Sequence, residues 1–150
     1  MKDNEHNDYS VCTVWLDRGY FYLLNVYREK LDYPNLKRAV IQWADIYPDH
    51  AGIIIEDNGL GTALIQELPE VDGVRPIAFK PEGSKEMRAH AQTARIEAGY
   101  VVIPESAPWL GDFLTEVRQF PAGRHDDQVD SMIQFLTYIH RKPAHTFCWA

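Results

Sequence analysis

The apolar run Ala51-Gly52-Ile53-Ile54-Ile55 constrains this chain more than any other segment. A strand with one wet face alternates apolar and polar residues, whereas an uninterrupted run belongs to a strand covered on both faces in a parallel or mixed sheet. The run follows a segment of helical pattern, so the chain is expected to layer helices on a sheet. It ends in Glu56-Asp57, placing carboxylates at the carboxyl end of the strand, the end where ligands bind in open α/β sheets.

The flanking pattern supports this arrangement. Ser10 to Leu16 and Tyr20 to Tyr27 are dense in β-branched and aromatic residues around an Asp17-Arg18-Gly19 turn, which predicts a β-hairpin. From Tyr33, with Pro34 suited to a first helical turn, Leu36, Val40, Ile41, Trp43, Ala44 and Tyr47 recur at helical spacing until Pro48. Asn58 to Gly61 reads as a loop and Thr62 to Leu68 as a helix stopped by Pro69. Val74 to Phe79 predicts a strand that Pro76 confines to an edge or delays. Ser84 is the N-cap of a helix with Met87, Ala91, Ala94, Ile96 and Ala98 as its apolar positions, ended by Gly99. Tyr100 to Pro104 is extended, Trp109 to Gln119 helical, and Val129 to Ile139 a last amphipathic helix with Val129, Met132, Ile133, Leu136 and Ile139 on one face. The expected fold class is therefore α/β, a mixed β-sheet flanked by α-helices, in one domain of 150 residues.

Composition narrows the function classes. With 45% apolar and 25% charged residues the chain is not of a disordered type. No stretch approaches the ~20 apolar residues of a spanning helix, and the polar start predicts an unexported, soluble protein. Cys12 and Cys148 are too few for a cysteine-built zinc site and are expected as free thiols. A net charge of -7 disfavours binding nucleic acid through a broad basic surface. It leaves room for a metal-dependent nuclease, whose carboxylates reverse local sign when they bind cations.

Chemistry concentrates in His125-Asp126-Asp127-Gln128-Val129-Asp130, at the start of the last helix. Two accounts compete there. Asp residues at a helix N-terminus serve as caps and complement the helix dipole. Equally, Asp127 and Asp130 lie three apart and share a face, where like charges repel unless a cation sits between them, and carboxylates suit Mg2+ or Mn2+. His125 is a candidate for orienting a phosphate or moving a proton. At the Ile53–Ile55 strand end, alternation sends Glu56 and Asp57 to opposite faces, so one is expected to serve a site. Glu56 is favoured, with Asp57 as its substitute.

In several places the chain resembles the C-terminal nuclease domain of tailed-phage terminase large subunits. The matching residues are Asn7-Asp8-Tyr9-Ser10-Val11-Cys12, Ile55-Glu56-Asp57, Gly59-Leu60-Gly61 and Lys85-Glu86-Met87-Arg88-Ala89. Glu97-Ala98-Gly99-Tyr100-Val101 with Pro104, and Phe120-Pro121 followed by His125 to Asp130, complete the set. Each motif alone is weak, but their order and spacing are specific together.

The resemblance implies a ribonuclease H-like fold and a two-metal DNA endonuclease that cuts concatemeric viral DNA during genome packaging. Glu56, Asp127 and Asp130 are then the catalytic acids, and Glu56, Asp126, Asp127 and Asp130 the ligands of two Mg2+ or Mn2+ ions. Lys80, Lys85, Arg88, Arg95 and His125 are candidate DNA contacts, although a solvated helix face accounts for the cations as well. The implied partners are double-stranded DNA, the terminase small subunit, the portal and an ATPase domain, in the cytoplasm of a bacterial host. No Gly-x-x-x-x-Gly-Lys-Ser/Thr loop is present to drive packaging. The family's leading Asp lies in a first strand upstream of the segment matching Asn7 to Ser10. That strand is expected to be missing from this domain, which keeps two alternatives open: an inactive prophage remnant or binding module, and another ribonuclease H-like nuclease such as a resolvase.

Overall fold

Gly19, in the left-handed region at φ 87°, turns the chain between two strands, β1 (Ser10–Asp17) and β2 (Phe21–Glu29). The computed structural model describes residues 9–141. After the hairpin come α1 (Tyr33–Ile46), β3 (Ile53–Glu56), α2 (Leu60–Glu67), β4 (Pro76–Phe79), α3 (Lys85–Glu97), β5 (Val101–Val102), α4 (Leu110–Gln119) and α5 (Asp127–Arg141). This is the predicted order of strands and helices. The chain divides into two compact units, residues 30–82 in one and residues 10–29 with 83–141 in the other.

In the unit formed by residues 30–82, β3 and β4 pair in parallel with Ile53 opposite Pro76 and Glu56 opposite Phe79. Pro76 delays the strand, as expected of a residue without an N–H to give the ladder. Asp32 caps α1 by accepting from the Asn35 N–H at 3.0 Å, a signal not read from the sequence, and Pro34 lies in the first turn. Ala44, Ile55, Leu64, Leu68 and Val74 form the core. Of the isoleucine run only Ile55 is buried, while Ile53 and Ile54 are half-buried. Pro69 ends α2 and opens a short 3-10 turn at Leu68–Glu70.

In the other unit, β1 and β2 run antiparallel and β2 and β5 parallel, which makes the expected mixed sheet. Phe21, Leu23 and Val26 of β2 are buried against Phe113 of α4 and Val129, Met132, Ile133 and Leu136 of α5. Each such side chain is worth about 1.5–3 kcal/mol when fully buried. Trp15 stacks on Phe135 at 4.9 Å and Trp109 meets Phe113 edge-on, both packed against this core. Trp43, in the first unit, is half-buried and stacks on Tyr47. Trp149 and Cys148 lie outside the described residues.

The face assigned to α3 needs correction. Met87 is 67% exposed, and Ala91, Ala94, Ile96 and Ala98 also face outward. The stripe directed to α5 is Lys85, Ala89, Gln92 and Arg95: Ala89 packs on the core, Gln92 is buried, and Arg95 donates to the Leu136 carbonyl and contacts His140 Nδ1. Polar side chains hold this helix in place, so its hydrophobic pattern pointed to the wrong face.

Candidate metal centre

α5 begins at Asp127, earlier than the Val129 start read from its apolar residues, because its first turn is polar. The Asp126 carbonyl accepts from the Asp130 N–H at 2.8 Å, closing the first helical turn and making Asp126 the N-cap. Asp126, Asp127 and Asp130 thus surround one helix start, and an oxygen from each lies within 4.8 Å of the others. The positive end of α5 favours carboxylates there, while their mutual repulsion calls for a cation.

Lys85, at the start of α3, supplies one. Its Nζ lies 3.0 Å from Asp126 Oδ2 and 2.9 Å from Asp130 Oδ2. Ser84 fixes the position of Lys85 by capping α3 through the Met87 N–H at 3.1 Å, as predicted. Because Lys85 meets the start of α5 and Arg95 meets Leu136 and His140 farther along, α3 and α5 run side by side in the same direction. Partial burial of Lys85 works against its charge, but the hydrogen bonds and attraction of Asp130 and Asp126 prevail and hold its pKa above the usual lysine range. The side chains are 32–47% exposed, so solvent screening keeps these pairs modest in energy.

Two further contacts orient α5. Glu116, a buried carboxylate on α4, accepts from the Val129 backbone N–H at 2.7 Å and from Gln128 Nε2 at 3.0 Å. Val129 N–H is one of the donors that a helix start leaves without an intrahelical partner. On the sheet side, Thr13 Oγ1 and Ser131 Oγ lie 2.7 Å apart, and Trp15 Nε1 donates to Thr13 Oγ1 at 2.8 Å. The sequence reading missed Glu116 and Thr13. Glu116 left a signal, a charged residue at the helical spacing of Trp109, Phe113 and Phe120.

Glu56 is exposed at the end of β3. Asp57 is engaged locally, accepting from Thr62 Oγ1 at 2.8 Å, so it braces the turn into α2. Gly61 is required in that turn: a Cβ there would lie 2.0 Å from the Glu56 carbonyl oxygen. Lys80 belongs to the same unit as Glu56, whereas Arg88 donates to the Gly83 carbonyl in the unit that carries the acid cluster. His125, half-buried, directly precedes the cluster.

Three carboxylate oxygens at this separation are a donor set that suits a hard divalent cation, and the residues present fit the metal that their chemistry suggests. A mixed sheet packed by helices is the build of ribonuclease H-like domains. A family model described as the terminase RNaseH-like domain matches residues 2–138, and the chain belongs to that family. The match spans both units and supports a role of terminase nuclease type. No curated protein matches the chain. Among the described residues no helix is long and apolar enough to cross a membrane.

Proposed function

We propose that this chain is the metal-dependent DNA endonuclease domain of a phage terminase large subunit, cutting concatemeric viral DNA during genome packaging. The observation that carries the proposal is the convergence of Asp126, Asp127 and Asp130 at the start of α5. Asp127 and Asp130 are the proposed catalytic acids, with Asp126 as a further ligand. Glu56 is assigned as the strand-end ligand by its place in the family motif. Two bound Mg2+ or Mn2+ ions supply an activated water and a charge to stabilise the leaving oxygen in such chemistry.

The chain's own residues present the carboxylates and keep them in place. Asp126 and Asp127 are fixed by the turn they open, and Asp130 by the rotation of α5 that Glu116 and Ser131 set. Contacts to DNA phosphates are proposed for Lys80, Lys85, Arg88 and His125. Arg95 is engaged with the Leu136 carbonyl and His140 and is left out of that set. With a net charge of -7 the chain is expected to bind DNA weakly by itself. The terminase small subunit, portal and ATPase domain are the proposed partners that hold it on its substrate.

A plasmid-nicking assay at low salt, where phosphate contacts are strongest, tests this function. Cutting with Mn2+ or Mg2+ that EDTA abolishes and Asp127→Asn removes is the expected result. A folded chain that cuts under none of these conditions overturns the nuclease assignment in favour of a binding module.

A further inference from the structure

We propose that Lys85 is a resident counter-ion of the acid cluster, and that a divalent metal ion occupies the cluster only by displacing its ammonium. The inference rests on reading the cluster as a metal centre.

The ammonium bridges Asp126 Oδ2 and Asp130 Oδ2 at 3.0 and 2.9 Å, using oxygens from two of the three clustered carboxylates. A hard divalent ion approaches such oxygens to about 2.0–2.6 Å. An ammonium hydrogen-bonded to the same two carboxylates then faces a like charge at close range, and the two cations compete for them. Lys85 is able to leave: its side chain is 47% exposed and it ends a flexible four-carbon stem. Its place at the start of α3 gives it a reason to leave, because a helix N-terminus disfavours a cation once the carboxylates are neutralised. The released ammonium stays tethered beside the metal, where it is available to an incoming phosphate.

The test is calorimetric titration of the full chain with Mn2+ alone, without DNA, in wild type, Lys85→Gln and Lys85→Arg. The expected result is Mn2+ binding about three- to fivefold tighter in Lys85→Gln, on the scale of a screened ion pair, and close to wild type in Lys85→Arg. Melting curves are expected to show Lys85→Gln less stable than wild type without metal and gaining more from its addition. Equal or weaker Mn2+ binding in Lys85→Gln overturns the proposal and leaves the metal centre standing. Absence of Mn2+ binding in all three chains overturns the metal centre and the proposal with it.

Discussion

The Glu116 carboxylate on α4 accepts a hydrogen bond from the Val129 backbone N–H at 2.7 Å and so caps α5 from a neighbouring helix. The acids at the start of α5 are aimed partly by a residue that takes no part in their cluster.

Glu116→Ala leaves a buried N–H and the Gln128 amide without their acceptor. Loss of a buried acceptor costs about 1–3 kcal/mol, so urea unfolding is expected to shift by about that amount. Mn2+ affinity is expected to fall as well. Glu116→Gln, which retains an oxygen acceptor, should recover part of both; a variant indistinguishable from wild type in both measurements contradicts the capping role.

Asp127→Asn separates metal ligation from complementing the dipole of α5. Removing one charge from a crowded cluster relieves repulsion, so the metal-free fold is expected to be unchanged or more stable, by up to about 1 kcal/mol, while Mn2+ binding weakens. Lost stability with unchanged Mn2+ affinity is the signature of a charge that only complements the helix dipole.

Gly61→Ala places a methyl group 2.0 Å from the Glu56 carbonyl oxygen, inside any van der Waals contact. The backbone must move, at a cost of about 1–3 kcal/mol. The loss should appear as a lower urea midpoint, and a midpoint unchanged from wild type contradicts the close approach.

Burial pushes the Cys12 thiol up to about 11 from 9.0. The folded chain therefore keeps a proton that the unfolded chain releases between those values. Cys12 contributes its stability in full below pH 9.0 and loses it progressively as pH rises toward 11. In a Cys148→Ser background, alkylation of folded protein at about pH 9 should be much slower than of urea-unfolded protein, since the thiolate is the nucleophile. Equal rates contradict the burial.

Much of this architecture was legible from periodicity. The hairpin, the strand Ile53–Glu56 and the buried face of α5 all declare themselves through apolar spacing, because hydrophobic contacts decide their packing. α3 did not, because Lys85 and Arg95 make its polar contacts to α5 with Gln92 buried between them in sequence, and such polar stripes read as solvated. The acid cluster was visible as three Asp residues around one helix start, and its ammonium partner was not, since Lys85 lies 41 residues from Asp126 in sequence. Glu116 was missed for the same reason: a tertiary cap has no local motif, only a charge in an apolar stripe.

The most direct test of the account is to add substoichiometric Mn2+ to the 15N-labelled chain and record which amide signals its unpaired electrons broaden. The account predicts that Asp126, Asp127 and Asp130 broaden first, with Lys85 beside them. Broadening centred elsewhere, or spread evenly over the exposed carboxylates, contradicts a metal centre at the start of α5.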